Sequence, residues 1–256
     1  QRQMCIRDSY NADLRSGLAY MGGGAGAPSA RMTDLTPGEI GLLVQGLSRT
    51  HPGAHKPLFS DLNLSLRRDG RLALLGRNGQ GKSSFIRMLG GIDRPTEGRI
   101  TWRMTSSWPI GFAGGFQGSL TGIDNVRFLA RLYDRDFKDL MARVDDFAEL
   151  GNAMRRPVKQ YSSGMRARLA FGLSLAVEFD CYLIDELVAV GDARFQRKCQ
   201  EELFQNRAHR AFVMASHNTD MVASYCDQAL IIESGKAKLF DDVQEAVEVY
   251  TWLRAA

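Results

Sequence analysis

A glycine-rich segment near residue 80 has the residue types and the spacing of a phosphate-binding loop. The segment Gly76–Ser83 (GRNGQGKS) fits G-x-x-x-x-G-K-[ST] and lies between a predicted strand and a predicted helix. Glycines let backbone N–H groups turn toward phosphate oxygens, Lys82 supplies positive charge, and the Ser83 hydroxyl can bind Mg²⁺. A chance glycine turn is the alternative. The pattern predicts these nucleotide-binding residues: Gly76, Arg77, Asn78, Gly79, Gln80, Gly81, Lys82, Ser83 and Ser84.

Two adjacent acids follow the hydrophobic segment Cys181–Ile184, which we predict to be a strand. In nucleotide-binding α/β folds such a strand lies beside the one that enters the phosphate loop. Asp185 would then hold Mg²⁺, and Glu186 would polarise the attacking water. A solvated turn is the alternative, although the upstream phosphate loop argues against it. The two motifs together predict Mg²⁺-dependent hydrolysis of a nucleotide.

The segment Tyr161–Arg166 (YSSGMR) opens a predicted helix and resembles the signature motif of ATP-binding cassette (ABC) proteins, usually L-S-G-G-Q. In that family the motif contacts ATP held by a second copy of the chain. The resemblance therefore implies a homodimer in which Ser162, Ser163 and Gly164 bind nucleotide, helped by the positive end of the helix. The N-cap of an ordinary helix is the alternative.

The same resemblance implies roles for residues outside these three motifs. His217 follows a predicted strand, where ABC proteins carry a switch histidine that contacts the γ-phosphate, and a structural histidine is the alternative. Asp192 fits the D-loop that crosses the dimer interface. Gln117 is the Q-loop candidate, with a metal-binding and catalytic role. His51, or Thr50 if the register shifts, matches the aromatic residue that stacks on adenine.

The chain most closely resembles the ATP-binding subunits of bacterial capsular polysaccharide exporters, over about residues 40 to 250. This implies an ATPase that powers polysaccharide export through a separate integral-membrane permease, peripheral to the cytoplasmic face of the inner membrane. The permease would dock in the groove between the α/β core and the helical block 123–150, beside Phe112, Phe116 and Leu120. The alternative is that these side chains fill the core of the domain itself. The segments that carry the resemblance are Gly91–Pro95, Gly98–Ile100, Ser107–Gly122, Tyr161–Met165 and Val190–Phe195.

The sequence leaves three alternative functions open. Exporters of O-antigen or teichoic acid share the D-loop, but they usually differ around Gly114–Gly122, and some carry a C-terminal β-sandwich that we do not expect here. Non-transport ABC ATPases of translation or DNA repair carry paired domains or long coiled coils, which we do not find. A regulatory module that binds nucleotide without hydrolysis would not require Lys82, Asp185, Glu186 and His217 together.

Strands that alternate with helices predict an α/β fold with a largely parallel sheet. The motifs make it a P-loop NTPase of ABC type, with a helical subdomain at about 118–177 and an antiparallel β subdomain. We predict strands at 41–45, 62–66, 71–75, 98–102, 181–184, 211–215 and 229–233. We predict helices at 82–89, between 123 and 150, at 164–177, from 192, at 218–225 and at 242–253.

Residues 1–31 lack a core-forming pattern, and we expect them to be a disordered leader ahead of the ATP-binding domain at 32–256. The leader resembles translated sequencing-adapter sequence, which would move the natural start to Met21 or Met32.

The net charge of +4 is too small to indicate a nucleic-acid partner. The 4 cysteines form no C-x-x-C pair, which favours reduced thiols. No apolar run reaches the ~18 residues that a spanning helix requires.

Overall fold

The computed structural model describes residues 39–51, 53–54, 56–110, 117–186 and 193–255. The strands in these ranges are β1 Ile40–Arg49, β2 Phe59–Arg67, β3 Arg71–Leu75, β4 Glu97–Trp102, β5 Cys181–Asp185, β6 Ala211–Ala215, β7 Gln228–Glu233 and β8 Lys236–Phe240. The α-helices are α1 Lys82–Leu89, α2 Gly122–Leu132, α3 Phe137–Ala148, α4 Ser163–Val177, α5 Ala193–Gln200, α6 Thr219–Tyr225 and α7 Val243–Ala255. Within the same ranges no helix is both long enough and apolar enough to cross a membrane.

A five-stranded sheet in the order β5-β6-β3-β7-β8 forms the centre of the molecule. The expectation that the strand ending in Asp185 lies directly beside the strand entering the phosphate loop is wrong, because β6 pairs with both β5 and β3 and lies between them. Its first four strands are parallel, and β8 pairs antiparallel with β7 through the turn at Ser234 and Gly235. Strands β3 (RLALL) and β6 (AFVMA) are almost wholly buried, because a parallel sheet is covered on both faces. The carboxyl ends of β3, β5 and β6 therefore meet at one edge, where the three predicted motifs emerge.

A second sheet, in the order β2-β1-β4, is antiparallel. Strand β2 alternates between buried and exposed residues, as expected for a sheet with one solvated face. Its buried face packs on helix α1 behind the phosphate loop, where the rings of Phe59 and Phe85 meet edge to face with centroids 6.0 Å apart. This sheet is the predicted antiparallel β subdomain.

Helices α2, α3 and α4 form one block between β4 and β5. Side-chain caps set their first turns: Thr121, Asp136 and Ser162 accept hydrogen bonds from the third residue beyond each of them. Helix α4 is apolar nearly all round, and from Leu169 to Val177 every residue is buried. The block lies inside the predicted helical subdomain. The predicted boundaries at 31 and 32 fall outside the described residues and stay predictions.

Candidate active site

The phosphate loop follows β3 and ends at the first turn of helix α1. Gly79 and Gly81 have φ of 81° and 105°, a backbone conformation that glycine adopts readily. Gly76, with φ of 151°, has no room for a side chain, since an added Cβ would lie 2.3 Å from the carbonyl oxygen of Ile232. Asn78 and Gly79 lie exposed at the tip of the loop, and Ser84 is half-buried in the helix.

Lys82 is only 5% exposed, and its ammonium group has backbone oxygens as its hydrogen-bond acceptors. Nζ donates to the carbonyl of Gly76 at 2.7 Å and to that of Arg77 at 3.1 Å. Burial lowers the pKa of Lys82, while the charges of Glu186, Asp185 and Glu233 act to raise it. None of the ion pairs within the described residues involves this ammonium. A buried cation inside a turn of glycines fits an anionic phosphate.

Two side chains beside the loop carry the oxygens that a magnesium ion prefers. The hydroxyl of Ser83, the residue after Lys82, donates to Oδ1 of Asp185 at 3.0 Å. Burial raises the pKa of Asp185, and the hydrogen bond from Ser83 opposes that shift. A hydroxyl and a carboxylate at this separation, beside a phosphate cradle, fit Mg²⁺ bound together with nucleotide phosphates.

Glu186 lies just beyond β5 in a left-handed backbone conformation, with φ of 48°. Its N–H donates to the carbonyl of Ala215 at 3.1 Å, which fixes the turn against the end of β6. Oε1 of Glu186 lies 3.0 Å from Nε2 of His217, which emerges from the same edge of the sheet. Nε2 is shielded from solvent, and no hydrogen-bond acceptor among the described residues is aligned with it. The sheet thus brings Lys82, Ser83, Asp185, Glu186 and His217 to one edge.

Two further loop residues tie the phosphate cradle to the β7–β8 turn. Nη2 of Arg77 lies 2.6 Å from Oε1 of Glu233, and Oε1 of Gln80 accepts the N–H of Ser234 at 2.8 Å. The predicted nucleotide-binding residues at these two positions therefore also have a structural role, because they hold the loop against the hairpin.

Ser162 is the N-cap of helix α4, and its hydroxyl accepts the N–H of Met165 at 3.2 Å. The preceding residue, Tyr161, is buried, and its hydroxyl donates to the carbonyl of Ala153 at 2.6 Å. Ser162 and Ser163 are exposed, and an added Cβ at Gly164 would lie 4.0 Å from the hydroxyl oxygen of Ser162, an ordinary contact. The capping alternative therefore describes Ser162 within one chain, and its predicted contact with a second copy stays a prediction.

Three predicted site residues are not joined to this cluster. The main chain of Gln117 pairs with the amide of Asn125, and its exposed side chain forms no hydrogen bond with Ser83 or Asp185. His51 is exposed in the turn after β1. Asp192 lies outside the described residues, as do Phe112 and Phe116. The roles predicted for Gln117, His51 and Asp192 stay predictions.

Comparison with known proteins identifies the family. The model of the ABC transporter family matches residues 59–189. The ATP-binding protein BexA of Haemophilus influenzae is 49% identical over 195 residues, which cover 76% of this chain and 90% of that protein. The chain belongs to the ABC transporter family. A second relative is the capsule polysaccharide export ATP-binding protein CtrD of Neisseria meningitidis serogroup B. It is 48% identical over 198 residues, which cover 77% of this chain and 92% of that protein.

The ABC fold is also found among solved structures. A dimeric ATP-binding cassette in a post-hydrolysis state, bound to ADP and Pi, aligns with a TM-score of 0.67 at 17% identity. The alignment covers 78% of this chain and 97% of that chain. The predicted ABC-type α/β fold is confirmed, and so is the predicted resemblance to the ATPases of capsule polysaccharide exporters.

One residue of the site was not predicted from the sequence. Tyr250 lies 174 residues after Gly76, yet its hydroxyl reaches both the Gly76 carbonyl and the ring of His217. The predicted terminal helix contains it, but no local motif distinguishes it from an ordinary buried tyrosine of a packed helix.

Proposed function

We propose that this chain is the ATP-binding and ATP-hydrolysing subunit of an exporter that moves capsule polysaccharide across the inner membrane through a separate permease. The observation that carries hydrolysis is the convergence of Lys82, the Ser83–Asp185 pair and the Glu186–His217 pair at one edge of the sheet. The cargo is inferred from CtrD, which is a capsule export protein and aligns over 92% of its length.

Each residue of the cluster has a distinct task in this proposal. Lys82 would exchange its carbonyl partners for phosphate oxygens, and Ser83 and Asp185 would hold Mg²⁺. Glu186 accepts a proton from the attacking water, which is general base catalysis. The ring of His217 directs Nε2 toward the attacking water and orients Glu186. Mg²⁺, when bound, neutralises phosphate charge and supplies Lewis acidity.

We also propose that two copies act together. The exposed hydroxyls of Ser162 and Ser163, and the small Gly164 beside them, suit an approach by a second chain. Ser162, at the N-terminus of helix α4, would present a hydroxyl and the helix dipole to phosphate bound by the partner. Asp192 would lie at the interface between the two copies. The relative that aligns at TM-score 0.67 is itself described as dimeric.

The helical block is the proposed docking surface for the permease, which would hold the subunit at the cytoplasmic face of the membrane. Leu120 is a large apolar side chain that is 38% exposed at the start of this block. A nearby groove of about 420 Å³ is lined by the apolar side chains of Ile123, Met141 and Met154 and by the polar side chains of Asp145, Asn152 and Arg155. Exposed apolar side chains beside charged ones suit an amphipathic helix of a partner protein.

Export is tested by expressing the chain in a Neisseria meningitidis strain that lacks CtrD and measuring surface capsule with antibody. We expect wild type and Ile92→Asp to restore capsule, and Glu186→Gln and Leu120→Asp to fail. Ile92 is the matched control because it is 37% exposed but lies in the turn after helix α1, which is not part of the helical block. Failure of a stable, ATPase-active wild-type chain there and in a BexA-deficient Haemophilus strain would contradict the proposed cargo.

A further inference from the structure

A third carboxylate, besides those of Asp185 and Glu186, lies beside the phosphate loop. Glu233 is the last residue of β7, and the parallel register of β3 and β7 pairs Leu75 with Ile231. The same register, continued past the ends of these strands, brings Glu233 next to Arg77 at the start of the phosphate loop. The side chain of Glu233 is only 15% exposed, so protein rather than solvent surrounds most of it.

Main-chain contacts hold Glu233 at the loop independently of its own carboxylate. On one side, Gly76 approaches the carbonyl of Ile232 so closely that an added Cβ would lie 2.3 Å from its oxygen. On the other side, the N–H of Ser234 donates to Oε1 of Gln80 at 2.8 Å. A change of the Glu233 side chain therefore removes its charge but leaves these two contacts in place.

One guanidinium group compensates the charge of this carboxylate. Nε and Nη2 of Arg77 both donate to Oε1 of Glu233, at 2.9 Å and 2.6 Å. The hydrogen bond and the charge of Glu233 raise the pKa of Arg77, so the guanidinium keeps its proton. Lys236 lies opposite Glu233 across the hairpin, but it forms no ion pair with the described part of the chain. The compensation therefore depends on Arg77.

The charge of Glu233 also acts on the place where phosphate is expected to bind. Burial lowers the pKa of Lys82, and Glu233 is one of the three acids whose charges oppose that shift. An anion that stabilises this ammonium repels the phosphates that bind to it. The other two acids have tasks in the proposed hydrolysis, at the metal and at the water, whereas Glu233 lies outside both.

We propose that Glu233 and Arg77 form a compensated charge pair that sets the affinity of the site for nucleotide phosphates. The carboxylate of Glu233 weakens phosphate binding. Arg77 strengthens it by cancelling that carboxylate, without contact with a phosphate of its own. This inference rests on the proposed binding of ATP, and it adds Glu233 as a residue that determines affinity from outside the sequence motifs.

The affinity is measured by titration of a fluorescent, nonhydrolysable ATP analogue with Mg²⁺ into full-length protein, at low salt where exposed charges are least screened. Glu233→Gln should lower Kd about three- to tenfold, the range for one charge that water screens. Its amide oxygen can still accept from Arg77, but it carries no charge. Arg77→Gln should raise Kd by a similar factor, and the double variant should return to near the wild-type Kd.

The control is a second ion pair, Arg67 with Asp69, whose charged atoms lie 3.4 Å apart. This pair lies before the amino end of β3, whereas the phosphate loop leaves the carboxyl end. Arg67→Gln and Asp69→Asn should leave Kd unchanged, because neither charge faces the phosphates.

Each alternative role of the pair gives a different result. An unchanged or raised Kd for Glu233→Gln would overturn the proposal, because the pair would then be a structural tether of the loop. A double variant as weak as Arg77→Gln would also overturn it, since Arg77 would then bind phosphate itself. If Arg77→Gln does not fold, the direction of the Glu233→Gln change decides. Absence of ATPase activity in wild type would instead refute the proposed hydrolysis, while the Kd values still decide the role of the pair.

Discussion

Replacement of Lys82 by methionine separates two effects of this buried charge: its effect on the stability of the fold and its effect on nucleotide binding. The side chain is 5% exposed, and burial lowers its pKa, so the folded protein holds an ammonium group that water no longer solvates. Both of its acceptors keep another partner without it. The carbonyl of Gly76 accepts from Tyr250, and the carbonyl of Arg77 accepts the N–H of Gln80 at 3.4 Å.

The expected change in stability is the difference between two terms of similar size. Loss of two hydrogen bonds from a charged donor costs about 3–6 kcal/mol. Removal of a desolvated ammonium returns several kcal/mol, and the methionine adds about 1–2 kcal/mol of apolar burial. These terms nearly cancel, so we expect the free energy of unfolding of the ligand-free variant to change by no more than about 2 kcal/mol. At about 2–4 °C per kcal/mol, the Tm should change by no more than roughly 8 °C.

Thermal unfolding with and without a nonhydrolysable ATP analogue and Mg²⁺ tests this reasoning. At a hundredfold excess over Kd, binding stabilises the wild type by about 2.7 kcal/mol, or roughly 5–11 °C in Tm. The Lys82→Met protein should show little or none of this gain. A ligand-free variant that melts well below wild type would refute the reasoning, because Lys82 would then be a structural tether of the loop.

Other predictions concern the signature segment and the thiols. Ser162→Arg, added to Glu186→Gln, should abolish ATP-induced dimerisation measured by light scattering, and a dimer that still forms would contradict contact with the partner's nucleotide. Tyr161→Phe should lower the free energy of unfolding by about 1 kcal/mol in denaturant titration, because a buried hydrogen bond is lost, and an unchanged midpoint would contradict that contact. Burial raises the pKa of Cys199 and Cys226 to about 12, so their peptides should resist alkylation at about pH 8 until urea unfolds the chain. Rapid labelling of folded protein would show that these thiols are accessible.

The sequence predicts the parts of the site that are local. Gly76–Ser83 and the acids at 185 and 186 are recognisable because strand, turn and side chains are contiguous, and the parallel sheet then brings them together. The strand and helix boundaries mostly fall within a few residues of those predicted, since buried apolar runs and caps such as Ser162 mark them. The Ser-Gly pair at 234–235 is typical of a turn, and in the structure it joins β7 to β8.

Contacts between distant segments could not be predicted in this way. Tyr250 meets the site only because α7 packs back across β7 and α6, and no spacing rule encodes that return. The pairing of Gln80 with Ser234 has the same origin. Tyr161 departs from the usual signature residue, and only the structure shows that its hydroxyl anchors the segment to Ala153.

Steady-state ATP hydrolysis by purified Glu186→Gln, compared with wild type, tests the central claim most directly. The amide keeps the size of the side chain but cannot accept a proton from water. We expect Mg²⁺-dependent turnover by wild type and a loss of about 10²–10⁴-fold in the variant, with ATP binding retained in a fluorescent-nucleotide assay. Near-normal turnover by Glu186→Gln would contradict the assignment of Glu186 as the general base.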